Sequence, residues 1–223
     1  MGVTFPGESQ EYRAARNKLL EAETELRGHI ENVARLRRDL PDGGELKEDY
    51  LFHEIVEGEE REVRFSDLFG EFDTLFAYSF MYGPDMKAAC PSCTSFIDGL
   101  NGQAQHIGQR ISMVIVGKHD ARTLQDFADH RGWNNLRLVS SAGTTYNADY
   151  HGEIEGRQMT MANIFARSGA DAPIRHFWGS ELGFEPWMEG AESRHIDLAW
   201  PVWNIFDLCP DGRGDFSPAL AYD

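Results

Sequence analysis

The sequence predicts an α/β fold in which a mixed β-sheet is flanked by helices and extended by a long N-terminal helix and a small β-hairpin. Three observations predict this class. The apolar run over residues 74–81 is long enough for a strand that is covered on both faces. A helix is expected to begin directly after Cys90. Strands and helices then alternate until two consecutive strands and a last helix, which is the order that such a mixed sheet requires.

Composition and charge limit what the chain can do. Its 223 residues are 41% apolar and 12% aromatic, which suits one folded domain with appendages and argues against disorder. The formal net charge of −16 opposes nucleic acid and anionic membrane surfaces, so neither is an expected partner. No apolar stretch approaches the roughly 18 residues of a membrane span, and the N-terminus lacks a signal peptide's apolar core. We therefore expect a cytoplasmic protein.

We expect three parts along the chain. Residues 1–44 form a helical arm, residues 45–73 an acidic hairpin and connector, and residues 74–223 the main domain. Within the acidic part, short apolar runs flank the turn-forming residues 57–60, which predicts the hairpin, and residues 66–70 predict one helical turn.

Residues 9–40 predict one long helix with a narrow apolar seam. The seam consists of residues repeating every seven positions and of others three places after them: Tyr12, Ala15, Leu19, Ala22, Leu26, Val33, Leu36 and Leu40. Charged residues flank it, so the pattern specifies a partner surface without saying whose. Either a second copy covers the seam and makes a homodimer, which is our prediction, or the helix lies across its own domain. Gly28 and His29 weaken a strict coiled coil.

The main domain is predicted element by element from hydrophobic runs and capping residues. Asp120 is expected to cap a helix that Gly132 ends. In order, the other elements are strands over residues 111–116 and 136–139, a polar stretch over 140–151, a hairpin of strands 161–166 and 174–178, an irregular loop over 181–192 and a helix over 197–208.

The pair Cys90 and Cys93 carries the chemistry. Pro91 suits the first position of a helix, so Cys90 falls at the N-cap, where free backbone N–H groups and the helix dipole lower a thiol's pKa. Cys93 lies one helical turn further on, within reach of Cys90 for a disulfide. A strand, a loop and a helix that opens with Cys-x-x-Cys indicate the redox motif of a thioredoxin-like fold. Half of a zinc site is the alternative.

The stretch over residues 68–213 resembles a bacterial family of unknown function that is classed as thioredoxin-like and described as predicted dithiol–disulfide oxidoreductases. The resemblance is carried by the segments at residues 80–85, 90–93, 132–133, 141–150 and 207–213. It implies a thioredoxin-like mixed sheet and a dithiol activity, and it supplies no substrate.

Two positions depart from what the resemblance implies. Thioredoxins carry a proline, usually cis, opposite the active cysteines, but no proline occurs here between Pro91 and Pro173. Met159 or Thr160 would take its place, which puts efficient exchange with protein disulfides in doubt. Cys209 stands where the family has threonine. We expect it to be a semi-buried residue at a helix end; a resolving thiol or a third metal ligand is the alternative.

Related chemistries were weighed on the same residues. A peroxiredoxin has threonine three residues before its peroxidatic cysteine, where this chain has Lys87. Copper-delivery relatives separate their cysteines by three residues rather than two.

The hypothesis is a thiol–disulfide oxidoreductase that acts on an unknown thiol or disulfide substrate, with no cofactor and no assigned metal ligands. Cys90 would attack and Cys93 resolve. Pro91, Ser92, Lys87 and the residue at 159 or 160 would support them, Lys87 through its positive charge. A non-catalytic binding module, or zinc or copper binding by the cysteines, are the alternatives.

Overall fold

The computed structural model describes residues 3–185 and 195–222. Most of the loop predicted over residues 181–192 lies outside these residues. Within the described part the helices are α1 (Gln10–Arg38), α2 (Pro91–Ile107), α3 (Ala121–Arg131), α4 (Tyr146–Asp149) and α5 (Pro201–Phe206). The strands are β1 (Leu51–Val56), β2 (Glu59–Arg64), β3 (Thr74–Phe80), β4 (Ser112–Gly117), β5 (Arg137–Ser140), β6 (Glu153–Ile154), β7 (Arg157–Gln158), β8 (Met161–Ala166) and β9 (Arg175–Gly179). The chain forms two compact units, residues 1–42 and 43–223.

The first unit is built on α1, whose prediction is confirmed. The Oγ of Ser9 accepts the backbone N–H of Tyr12 at 3.0 Å, which is the N-cap hydrogen bond that begins the helix. Arg35, Arg37 and Arg38 in the last turn oppose the negative end of the helix dipole. No residue of α1 is buried, and the large side chains of the apolar seam are 41% to 57% exposed.

The second unit contains a mixed sheet of seven strands in the order β2-β1-β5-β4-β3-β8-β9. Apart from the hairpin strands β1 and β2, the sheet has the order β5-β4-β3-β8-β9, in which β3 is the central strand. It runs parallel to β4 and antiparallel to β8, so that Tyr78 lies opposite Ile115 on one side and Ala162 on the other. The strand β4 pairs in parallel with β5. The mixed sheet flanked by helices is the thioredoxin-like architecture that the sequence predicts.

Alternation along β3 divides the core into two clusters. Tyr78 and Phe80 face α2 and α3, where they pack with residues such as Phe96 and Trp133. Leu75 and Ala77 belong to the other cluster, on the opposite face. Aromatic rings fill that second cluster: Tyr50, Phe52, Phe65, Phe69, Tyr146 and Phe165.

The predicted hairpin forms β1 and β2 and joins the main sheet, because β1 pairs with β5 at His53 and Ser140. It contributes Phe52, which is fully buried, to the second cluster. The predicted helical turn is also present, as a 3-10 helix over Phe65–Phe69. Hairpin and turn therefore supply much of the cover for the face of the sheet that α2 and α3 leave open.

One expectation for the second half needs correction, and some elements were not predicted. The polar stretch over residues 140–151, for which no helix or strand was predicted, contains the single-turn helix α4, and the two-residue strands β6 and β7 follow it. The helix predicted over residues 197–208 is split into a 3-10 helix (Asp197–Ala199) and α5. Pro201 causes the break, because a residue before proline avoids the helical conformation and Trp200 has φ −117° and ψ 94°. No helix in residues 3–185 and 195–222 is long and apolar enough to cross a membrane.

We predict that Phe65→Ala will strongly destabilise the fold without changing the chemistry at Cys90. Phe65 is fully buried and its ring contacts those of Tyr50, Phe52 and Tyr146. The lost packing should cost about 3–5 kcal/mol in the free energy of unfolding, measured by urea denaturation. Phe184→Ala, at a ring that is 42% exposed, is the matched control and should cost less than about 1 kcal/mol. Equal losses would contradict the assignment of the second cluster.

Candidate active site

Cys90 lies at the junction between the central strand and α2. Its backbone N–H donates to the carbonyl of Met81, directly after β3, at 3.0 Å. Cys90 is the N-cap of α2 and Pro91 is the first helical residue, as predicted. The carbonyl of Cys90 accepts the backbone N–H and the Oγ1 hydroxyl of Thr94 at 3.0 and 2.9 Å. The strand end and the first helical turn therefore hold Cys90 from both sides.

The pKa of the Cys90 thiol falls from 9.0 to about 6. The largest cause is the hydrogen bond from the Cys93 thiol, and the backbone N–H groups of Cys93 and Ser92 add to it. The Cys93 N–H approaches the Cys90 Sγ to 3.5 Å. Partial burial acts in the opposite direction, since it penalises the thiolate. Hydrogen bonding outweighs burial, so Cys90 is largely a thiolate at neutral pH.

Cys93 has the opposite character. It is only 2% exposed, and its pKa is raised because its thiol donates to Cys90 and because it is buried. Both effects keep the proton on Cys93 while Cys90 carries the charge. The two cysteines are free thiols in the structure. The pair therefore consists of a partly exposed thiolate, Cys90, and a buried, protonated thiol, Cys93.

Two further hydroxyl groups, those of Tyr78 and Thr160, extend the hydrogen bonding beyond Cys93. The Tyr78 hydroxyl hydrogen-bonds to Cys93 and lowers the pKa of Cys93, against larger effects of burial and of Cys90 that raise it. Burial raises the pKa of Tyr78 itself, and the neighbouring Cys93 raises it further. Thr160 Oγ1 donates to the Tyr78 hydroxyl at 2.6 Å. The order of donation is therefore Thr160 to Tyr78, Tyr78 to Cys93, and Cys93 to Cys90.

Of the supporting residues predicted from the sequence, some hydrogen-bond to the thiols or to Tyr78, and others do not. Ser92 donates its backbone N–H to Cys90, and Thr160 directly precedes β8, where thioredoxins carry their proline. Met159 donates its backbone N–H to the carbonyl of Gly152 at 2.9 Å. Lys87 is exposed, and it is not among the groups that lower the pKa of Cys90.

Cys209 is exposed, which corrects the expectation of a semi-buried position. Because α5 ends early, at Phe206, Cys209 lies in the surface turn that follows. Its backbone N–H donates to the carbonyl of Phe206 at 2.9 Å, and its thiol to that of Ile205 at 3.4 Å. In residues 3–185 and 195–222, no three histidine, cysteine or acidic side chains are grouped so that they could hold a metal ion.

Sequence analysis missed the role of Tyr78. It appeared there only as one residue of an apolar run. The available signal was the alternation of side chains along the strand. Residues 78 and 80 lie on the same face of β3, which is the face that α2 covers. The polar end of a buried tyrosine needs a hydrogen-bond partner, and on that face Cys93 and Thr160 are within reach.

A cavity of about 620 Å³ lies elsewhere, against β8 and β9. Its described lining includes Asn163, His176, His151 and Glu181, and none of the supporting residues predicted for the dithiol. His176 Nε2 is 2.8 Å from Asn163 Oδ1, and burial lowers the pKa of His176. Asn163 alternates with Ala162, which belongs to the cluster under α2, so the cavity opens on the other face of the sheet.

Fold and site together define a thioredoxin-like protein with a thiol pair at the start of its central helix. The chain belongs to the bacterial family of unknown function DUF899, whose model matches residues 3–221. No curated protein matches the chain.

Several solved structures resemble this chain in the course of the backbone, at low sequence identity. Reduced Prx3 from Vibrio vulnificus, in complex with hydrogen peroxide, is 8% identical, with a TM-score of 0.47 over 73% of this chain and 98% of its own. The peroxidoxin BcpB from Mycobacterium tuberculosis is 20% identical, with a TM-score of 0.45 over 73% and 95%. The lipoprotein thioredoxin Etrx1 from Streptococcus pneumoniae is 11% identical, with a TM-score of 0.39 over 68% and 98%. Similarities this low do not indicate which reaction this chain performs.

We predict that Cys90 will be alkylated first and that Cys93 will be protected. With a pKa of about 6, the labelling rate of Cys90 should fall to half its plateau near pH 6 and continue to fall at lower pH, as the thiolate is protonated. Limiting iodoacetamide followed by peptide mass mapping measures this. Cys93→Ala removes the main donor and should raise the midpoint, whereas Cys93→Ser retains a donor and should raise it less. Faster labelling of Cys93 than of Cys90 would reverse the two roles.

We also predict that the purified protein will hold less than one zinc ion per chain. One cysteine pair supplies only half of a closed site with four ligands. Elemental analysis by mass spectrometry measures the metal content. One tightly held zinc per chain, lost in Cys90→Ser, would be the result that favours a metal site over a redox site.

Proposed function

We propose that this chain is a thiol–disulfide oxidoreductase that uses Cys90 and Cys93. The observation that carries the proposal is the asymmetry of the pair: Cys90 is a partly accessible thiol with a pKa of about 6, and Cys93 is buried, protonated and hydrogen-bonded to it. A nucleophilic thiol needs thiolate character and access, and a resolving thiol must stay protonated until the first step is complete. These properties support Cys90 as the attacking thiol and Cys93 as the resolving thiol.

In the first step, the Cys90 thiolate attacks one sulfur of a substrate disulfide. A bond forms between Cys90 Sγ and that sulfur, the substrate S–S bond breaks, and the other substrate sulfur leaves as a thiolate. The negative charge at Cys90 is consumed in this step. Cys93 therefore loses its hydrogen-bond acceptor and with it the largest effect that keeps its pKa high.

In the second step, Cys93 gives its proton to the substrate thiolate that left in the first step, and the resulting Cys93 thiolate attacks Cys90 Sγ. The mixed disulfide breaks, the second substrate sulfur leaves as a thiolate, and a Cys90–Cys93 disulfide remains. Two electrons have passed from the protein to the substrate. The hydroxyl of Tyr78, itself held by Thr160, supports the new Cys93 thiolate as a donor. A dithiol donor, which the proposal requires as co-reactant, then reduces the disulfide through the same two exchanges.

Trapping the mixed disulfide tests the proposal. We expect Cys93→Ser, incubated with oxidised glutathione, to accumulate one glutathione on Cys90, because the resolving thiol is absent. Cys90→Ser should acquire no adduct at the shielded Cys93, and the unchanged protein should form the internal disulfide instead. Peptide mass mapping distinguishes these products.

The reduction potential provides the second measurement. An exchange-active pair should lie in the range of known oxidoreductases, roughly −120 to −270 mV, by equilibration with glutathione buffers. A potential below about −300 mV, together with no adduct on Cys93→Ser, would contradict the proposal and favour a non-catalytic binding module.

A further inference from the structure

The helix α1 presents an apolar surface that nothing in its own unit covers. Leu19, Leu26 and Leu36 are 51%, 57% and 53% exposed, and α1 has no buried residue. These side chains lie on one stripe because they belong to the apolar seam, whose members recur at spacings of three, four and seven residues along α1. Surfaces of this kind on long helices are usually covered by another helix.

The side chains along this apolar seam alternate in size. Leucines stand at residues 19 and 26, and alanines stand three residues after Leu19 and four residues before it, at Ala22 and Ala15. If two copies of α1 run antiparallel so that Leu19 faces Ala22 of the second copy, Leu26 faces Ala15. Leu19 and Leu26 then each meet a small side chain, which limits voids in these two layers of the interface. A parallel pair would instead set Ala15 and Ala22 against themselves and leave gaps.

The charges that flank the seam agree with the same register. On one side, Lys18 comes opposite Glu25 of the second copy, and on the other, Arg16 comes opposite Glu23. Lys18 and Glu25 make no ion pair among the described residues, whereas Arg16 and Glu23 pair at 3.0 Å within the helix with both side chains partly exposed. No like charges face each other at these flanking positions, which are the ones that set partner and orientation in coiled coils.

The register also gives the polar residue of the seam a partner within α1. Tyr12 comes opposite His29, the residue that interrupts the seam. The polar ring of His29 thus faces a side chain with its own hydroxyl and lies away from the leucine layers.

We propose that α1 is the dimerisation helix of this protein and that it pairs antiparallel with α1 of a second copy, Leu19 against Ala22. The occupant of the apolar seam is therefore another copy of this chain. This inference does not depend on the chemistry of Cys90 and Cys93.

Two matched substitutions in the full chain test the partner. Leu26→Asp places a charge in the seam, and Leu20→Asp places the same charge on the same helix at a residue that is 47% exposed and faces away from the seam. Sedimentation velocity should show a dimer for the unchanged chain and for Leu20→Asp, and a monomer for Leu26→Asp. Circular dichroism checks that both variants keep the same helix content.

Spin-label distances test the orientation. In a background of Cys90→Ser, Cys93→Ser and Cys209→Ser, single labels at Thr24→Cys or Glu31→Cys report the spacing between copies. In the antiparallel register the two labels at residue 24 are offset by about 10 Å along the axis and those at residue 31 by about 30 Å, at a rise of 1.5 Å per residue. A parallel pair would give no axial offset at either position.

Each outcome decides the proposal. A dimer that Leu26→Asp alone dissociates, with a much longer spacing at residue 31 than at residue 24, supports it. A monomeric unchanged chain at micromolar concentration overturns it and means that the helix is covered within its own chain. Equal loss of dimer in the two aspartate variants, or equal spacing at the two labels, overturns the assigned surface or the assigned orientation respectively.

Discussion

The arrangement of the second unit depends on one constraint, which is that the central strand β3 must be covered on both faces. Its side chains alternate between the two clusters, Leu75 and Ala77 on one side and Tyr78 and Phe80 on the other, and most of them are almost fully buried. The helices α2 and α3 cover only one of these faces. The opposite face is closed by aromatic rings from the hairpin, the 3-10 helix and α4, which explains why an acidic, apparently peripheral segment is part of the core.

The same constraint places the thiols. Because α2 must lie across the face of β3 that carries Tyr78, its first turn comes directly above the end of that strand. Cys90 is then at the helix N-terminus and Cys93, one turn later, points into the cluster. Burial alone would raise the pKa of both thiols. Hydrogen bonds reverse its effect at Cys90 and reinforce it at Cys93, so one helical turn is enough to make two chemically different cysteines.

The sequence was sufficient to predict the helix ends, because these depend on interactions between neighbouring residues. Helix starts at Ser9, Cys90 and Asp120 and the helix end at Gly132 follow from capping, and the structure has all four. The seven-stranded sheet required more, because the pairing of β1 with β5 joins residues far apart in the chain and leaves no periodic signal. The single turn of α4 and the short strands β6 and β7 are below the length at which periodicity can be recognised. At the site, Cys90 and Cys93 were predictable from spacing, whereas the hydrogen bond between Thr160 and Tyr78 depends on β8 pairing beside β3.

The residue before β8 shows how the site can differ from a thioredoxin while keeping its geometry. A proline at this position has no side-chain donor, so it can shape the loop but cannot hydrogen-bond to a buried phenol. Thr160 has a hydroxyl, and it uses that hydroxyl to orient the oxygen of Tyr78, which would otherwise be a buried polar group with one partner fewer. Tyr78 in turn supports Cys93. With a hydrogen-bonding residue in place of a rigid one, this loop therefore acts through Tyr78 on the buried Cys93 thiol.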